Sequence, residues 1–438
     1  MTLWLKKWWV EAVLTAVLVF LSTWNLGMSP ATWFDEGINV GIAKSLVEQG
    51  VYSFEVAPHT FVQERPFLIT TNYPVLLPVA LSLKLFGMNF TAARLPMVLY
   101  LWAFALVAYL FARRLYGREA ARWSVLLIIT FLPFYGNGKA VLGEVPGLFF
   151  VLTALLLLPA PYHPKKLLLS GLFIGLAMAT KPFFLLIPLA LFLGEVISQR
   201  HSGVLLKRLI WIFVGGLVPV LLWLWSILPD FSLHSMTATL HFYANSYASS
   251  DLAVLIAQNL WRFVSESTPL HFLILFCAFA SLLWQKRRTG EQVLKSEMVL
   301  GLFILLTLLF YLKTPGWYRY FFPAHLVLFL FFPAALFRSV NRRSALVLLS
   351  LFCIIQSALL VSTYDDPLYY SREAEEMAER IMKSTAAGES VLFINKPSVA
   401  LLLKDRAVFQ YLEINPVLHF GEQKPITSEG RPIINIYD

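Results

Sequence analysis

Asp35 and Glu36 form an adjacent acidic pair just beyond the first apolar segment of a chain that is 58% hydrophobic and only 14% charged. Carboxylates at the mouth of a membrane bundle can take up protons, and ionisable groups near a bilayer are costly enough to mark functional sites. Glu144 opens a later apolar segment in Gly143-Glu144-Val145-Pro146, and Lys139 stands five residues before it. Further cations sit at the ends of apolar segments: Lys181 before Pro182, Arg319 among Trp317, Tyr318 and Tyr320, and Arg65 in the first polar stretch. Each has a plain structural alternative. Acidic residues favour helix N-termini, with proline nearby at Glu144; lysines snorkel to the interface; an arginine among aromatics suits an interfacial belt.

These groups must be positioned by a membrane scaffold. A mean hydropathy of +0.68 over 438 residues excludes a water-soluble globule and predicts an all-α polytopic membrane protein. The net charge of +9 comes from short basic clusters between apolar segments, the pattern of cytoplasmic loops and not of nucleic-acid binding. Cys277 and Cys353 both fall in apolar segments, which excludes a disulfide framework. Lys6-Lys7 ahead of an apolar run resembles a signal sequence without a small-residue cleavage site, so it reads as a retained first helix with a cytoplasmic N-terminus.

With the basic clusters inside, the chain crosses the membrane about eleven times, near residues 8–25, 91–111, 122–140, 144–160, 167–180, 183–197, 208–228, 270–285, 297–312, 319–337 and 344–363. Residues 73–86 are short for a span and read as an interfacial or re-entrant helix. Three long stretches, 26–90, 229–269 and 364–438, fall outside, so function should face outward. Residues 1–363 thus form the membrane domain. The tail 364–438 reads as a small extracytoplasmic α/β unit, with an acidic amphipathic helix at 371–383 and strands at 390–394 and 432–437, too small to be stable without resting on the bundle.

An ordered series of motifs runs along the first half of the chain. It comprises Trp33-Phe34-Asp35-Glu36, Asn72-Tyr73-Pro74, Leu83-Lys84-Leu85-Phe86-Gly87, Ala92-Ala93-Arg94-Leu95-Pro96, Ala112-Arg113-Arg114-Leu115-Tyr116-Gly117 and Gly143-Glu144-Val145-Pro146, with Arg319-Tyr320-Phe321-Phe322-Pro323 later. This series resembles the membrane-embedded GT-C glycosyltransferases, in the bacterial branch similar to dolichyl-phosphate-mannose protein mannosyltransferases and lipid A aminoarabinose transferases. The resemblance implies a plasma (inner) membrane enzyme that transfers a sugar from a polyprenyl-phosphate donor to a lipid, glycan or protein acceptor at the outer face, with inversion. It implies Asp35 as the base that takes the acceptor's proton, with Glu36 and Glu144 orienting the acceptor or binding a divalent cation such as Mg or Mn. The leaving lipid phosphate needs fixed positive charge, for which Lys139 and Arg319 lead and Arg65 and Lys181 follow.

The chain departs from the aminoarabinose transferase pattern at Thr71-Asn72-Tyr73-Pro74, where a lysine and a proline pair are expected, so phosphate binding must come from elsewhere. Residues 234–250 read as a loop whose His241, Tyr243, Asn245 and Tyr247 suit sugar or acceptor recognition. His234 and His241, seven apart, make no strong metal signature, and no metal ligand is assigned. Two other classes stay open: a polytopic lipid or solute transporter, which would place charges in mid-helix, and a non-catalytic membrane assembly partner, which would need neither carboxylate.

Overall fold

Long apolar runs with no water to satisfy their backbone must become helices, and they do. The structure is a computed structural model that describes residues 2–158, 162–198, 204–245, 251–363, 370–413, 419–421 and 434–436. The first half comprises helices α1 (Thr2–Thr23), α2 (Phe34–Gln49), α3 (Arg65–Leu68), α4 (Tyr73–Phe86), α5 (Phe90–Thr130), α6 (Leu132–Gly138), α7 (Glu144–Leu157), α8 (Pro164–Thr180), α9 (Leu186–Ser198) and α10 (Leu205–Ile227), with a small hairpin of β1 (Glu55–Ala57) and β2 (Thr60–Phe61). There follow α11 (Leu233–Asn245), α12 (Leu252–Ser265), α13 (Ser267–Arg288), α14 (Lys295–Leu312), α15 (Phe322–Ser339) and α16 (Arg342–Ser362).

Six of these helices, α5, α10, α13, α14, α15 and α16, are long and apolar enough to cross a membrane by themselves. Each segment expected to span is mostly helical among the described residues, and the rest of these helices are shorter. α5 contains two expected spans that meet at Gly117, whose φ of 85° breaks the helix. The helix expected over 122–140 is interrupted: α5 stops at Thr130, Phe131 is extended, and α6 restarts with Pro133 in its first turn, where a missing N–H costs nothing. α15 is buried without interruption from Phe322 to Ala335 and forms the centre of the bundle.

Residues 234–250 are not simply a loop. Through Asn245 they are helical in α11, and α12 follows. α12 is amphipathic, with Leu260, Trp261 and Val264 exposed and Asn259 and Phe263 buried.

In the tail, α17 (Glu373–Ser384), β3 (Ser390–Ile394), α18 (Pro397–Ala400), β4 (Ala407–Glu413), β5 (His419–Phe420) and β6 (Ile434–Ile436) build a sheet of order β5-β4-β3-β6. β3 pairs parallel to β4 and β6, and β5 is antiparallel to β4. This unit shares a core with the first polar stretch: Val391, Phe393 and Leu412 cluster with Ile38, Val40 and Phe54. Gln410 donates to the Glu55 carbonyl at 3.0 Å and the Ser371 N–H to the Met28 carbonyl at 3.1 Å.

Candidate active site

Asp35 and Glu36 open α2 on neighbouring positions, roughly 100° apart around the helix, and point into different surroundings. Glu36 is fully buried. Its carboxylate accepts from Arg94 Nε at 2.7 Å and Nη2 at 2.6 Å, and Oε1 also accepts the Val141 N–H at 3.1 Å. Arg94 Nη1 donates in turn to the Leu26 carbonyl at 2.9 Å. A buried ion pair is tolerable only when its remaining lone pairs and protons are met in this way. Glu36 is therefore an anchor that ties α2 to α5 and to the turn before α7, and it does not face an open site.

Asp35 lines a cavity of about 450 Å³ and is ion-paired with Arg319 there. Two more cations line the same cavity, Lys181 and Lys313, against apolar walls that include Phe67, Phe183, Leu186 and Phe310. Lys181 also pairs with Glu144, so the carboxylate that opens α7 reaches the cavity through a lysine. The second oxygen of Glu144, Oε2, is buried without a hydrogen-bond partner. Asn39, on the cavity wall, donates to the Val141 carbonyl at 2.7 Å and so shares a backbone segment with the Glu36 anchor.

The turn from Lys313 to Tyr320 carries two of the three cations and is held from both sides. On one side Asn259 Nδ2 donates to the carbonyls of Tyr311 (3.3 Å) and Leu312 (3.0 Å) at the C-terminal end of α14 and to that of Thr314 (2.8 Å) just beyond it. Arg262 Nη1 donates to the Gly316 carbonyl at 2.5 Å. Gly316 has φ of 78°, and a Cβ there would collide with both Arg262 and Asn259, so only glycine fits. On the other side the Tyr318 hydroxyl meets His325 Nδ1 at 3.3 Å, and His325 Nε2 meets His271 Nδ1 at 3.0 Å. The Arg319 guanidinium lies over Trp317 (4.7 Å) and Tyr320 (5.4 Å), and its Nη1 donates to Asp35.

The sequence expectations are redistributed by this geometry. Asp35, Arg319, Lys181 and Tyr243 line one cavity. Lys139 does not: it is 3% exposed, and its Nζ donates to the Trp24 carbonyl at 2.9 Å. Arg65 faces a second cavity, because α3 presents it on one side and Phe67 and Leu68 on the other. Tyr243 fixes this partition by donating to the Pro66 carbonyl at 2.9 Å; burial pushes its phenol well above the usual range, so the group stays a neutral donor. His241 lies exposed on α11 and is not among the residues lining the cavity, and Tyr247 is outside the described residues. Lys313 was missed by sequence reasoning, although Lys313-Thr314-Pro315-Gly316 at the end of an apolar helix, six residues before Arg319, was the available signal.

A divalent cation finds no ready ligand set among the described residues. No group of three or more His, Cys, Asp or Glu comes together, and the carboxylates of Asp35, Glu36 and Glu144 are each held by a basic side chain. The cavity instead suits an anionic group among fixed cations, with a carboxylate beside it to receive a proton.

The family model for dolichyl-phosphate-mannose-protein mannosyltransferases matches residues 75–225. Among solved structures, ArnT from Cupriavidus metallidurans bound to undecaprenyl phosphate is similar over 92% of this chain and 75% of its own, with TM-score 0.60 and 16% identity. The apo state of the same protein gives 93% and 86%, 0.59 and 15%. The Archaeoglobus fulgidus oligosaccharyltransferase, in complex with Zn and sulfate, gives TM-score 0.60 at 14% identity, covering 93% of this chain and 62% of that one. No curated protein sequence matches the chain. The chain shares the GT-C-like fold of these structures.

Proposed function

We propose, with the GT-C fold as premise, that this chain transfers a sugar from a polyprenyl-phosphate donor to an acceptor at the outer face of the membrane, with inversion at the anomeric carbon. The observation that carries the reading is the cavity itself, where one carboxylate, Asp35, stands among Arg319, Lys181 and Lys313 against apolar walls. An amphipathic donor suits such a site, since its phosphate meets the cations while its lipid follows the apolar side.

In this reading the Asp35–Arg319 pair is the resting arrangement. A donor phosphate competes for Arg319 and frees Asp35 to accept from the acceptor's hydroxyl or amine. As the acceptor attacks the anomeric carbon, the bond from that carbon to the phosphate oxygen breaks, its electron pair stays on the phosphate, and the proton passes to Asp35. The three cations stabilise the charge that develops on the leaving phosphate. Glu144 holds Lys181 in place, and Glu36 holds α2. The N-terminus is cytoplasmic and the tail lies outside, next to the site.

The test is transfer of radiolabel from polyprenyl-phosphate sugars in membranes containing the chain or its Asp35→Asn variant. General-base loss should lower turnover by roughly 10²-fold or more while carrier binding persists. Near-normal turnover by the variant would leave Asp35 as a helix-start residue only.

A further inference from the structure

The cavity on the far side of α3 is built differently from the catalytic one. It encloses about 590 Å³ and is lined by two opposite charges, Arg65 and Asp230, by the hydroxyl residues Tyr52, Tyr73 and Ser226, and by apolar side chains of α4 and α10. Arg65 and Asp230 are not paired with each other. Among the described residues the Arg65 guanidinium has no hydrogen bond or ion pair, and Asp230 forms no ion pair. Hydrogen bonds from the Ser232 side chain and N–H hold the Asp230 carboxyl below its usual range, so it is charged at neutral pH. The hydroxyls of Tyr52 and Ser226 both donate to Asn72 Oδ1, at 3.0 and 3.1 Å, and the amide Nδ2 of this buried asparagine has no partner.

The apolar wall faces outward. Leu77, Leu222 and Trp225 are 49%, 46% and 69% exposed, and the last two belong to a helix of spanning length. A groove whose apolar side opens where lipid must lie, and whose polar end holds one cation and one anion that form no ion pair among the described residues, fits an amphipathic molecule with both charges in its head. A guanidinium takes phosphate oxygens through its fork of N–H donors, and a carboxylate takes an ammonium that has N–H to give.

We propose that this cavity binds a phospholipid with a phosphoethanolamine head, its phosphate on Arg65, its primary ammonium on Asp230 and its acyl chains along Leu77, Leu222 and Trp225. A purely anionic head would place no cation against Asp230. A quaternary ammonium would bring charge without a hydrogen-bond donor. The lipid shares the α3 wall with the catalytic cavity but is not required to be a substrate, and the inference stands independently of the glycosyltransferase reading.

Native mass spectrometry of the full-length chain in detergent, titrated with phosphatidylethanolamine, phosphatidylcholine and phosphatidylglycerol of identical acyl chains, tests it. Phosphatidylethanolamine should bind about tenfold more tightly than either of the others, the scale of one charge-assisted hydrogen bond. Asp230→Asn should remove that preference, while Arg65→Gln should weaken all three. Glycerophosphoethanolamine and inorganic phosphate should bind far more weakly than the lipid, since neither reaches the apolar wall. Equal retention of the three lipids by the unaltered chain, an unchanged preference in Asp230→Asn, or binding of the free head group as tight as the lipid would each overturn the proposal. Both charged residues are at least partly exposed, so these variants keep the fold.

Discussion

The Glu36 anchor and the Asp35 cavity lie one residue apart on α2 and use the same ingredients, a carboxylate and an arginine, to opposite ends. Around Glu36 both side chains are 0% exposed, and neighbouring backbone groups complete the network. Nothing can enter without breaking a buried ion pair. Around Asp35 the pair is 27% and 16% exposed on an open cavity, with two further cations beside it. An ion pair that solvent reaches contributes little stability and exchanges partners readily. Charge chemistry therefore needs the incompletely enclosed pair, and rigidity needs the enclosed one.

The sharpest way to break this comparison is at the anchor. Glu36→Gln leaves Arg94 charged and uncompensated, which should cost about 3–5 kcal/mol and show as loss of folded, detergent-soluble protein or a large fall in Tm. Combining it with Arg94→Gln should recover part of that loss. If the single variant melts like the unaltered protein, Glu36 is not an anchor.

Asp35→Asn should do the reverse, leaving Tm nearly unchanged while turnover falls roughly 10²-fold. Thermal melts run beside the transfer assay separate the two residues, and a parallel fall in stability and activity would erase the distinction between them.

A smaller effect is expected at Lys313. Lys313→Ala should raise the apparent donor KM by about tenfold, and any fall in kcat measures the extra charge on the leaving phosphate. Its support should follow at lower amplitude. Asn259→Asp replaces the donor that meets three carbonyls with a group that accepts only, and should raise donor KM about threefold to fivefold with little change in kcat. The smallest effect belongs to Lys139, whose Nζ is committed to the Trp24 carbonyl: Lys139→Met should alter donor KM by no more than about twofold. A change as large as that for Lys313 would return Lys139 to the phosphate site.

Composition and periodicity were sufficient for what depends on local chemistry. Apolar runs bounded by basic clusters marked the helices, because a chain in lipid can satisfy its backbone only by helix formation, and each expected span is mostly helical among the described residues. Strands 390–394 and 432–437 were readable from β-branched content, and β3 and β6 lie within them. α12 was also within reach, since its apolar positions repeat at helical spacing, yet it falls in the outer stretch 229–269 for which no helix was read. Asp35 could be singled out from its place just beyond the first apolar segment and from the motif series that resembles the GT-C glycosyltransferases.

What the sequence alone could not determine is which charges meet. Asp35 and Arg319 are 284 positions apart, and Glu36 and Arg94 are 58 apart. Whether a carboxylate is an anchor or a reactive group depends on which of these partners reaches it and whether solvent does too. Lys139 and Lys313 look equivalent at helix ends, yet one is spent on a backbone carbonyl and the other faces the cavity. The partition of Arg65 from Phe67 is likewise a property of how α3 is seated, held by a hydroxyl on α11 that is 177 positions away. Helix formation is local and periodic, so it is written in neighbouring residues; the pairing of charges is set by the packing of helices distant in the chain, and only the tertiary structure decides it.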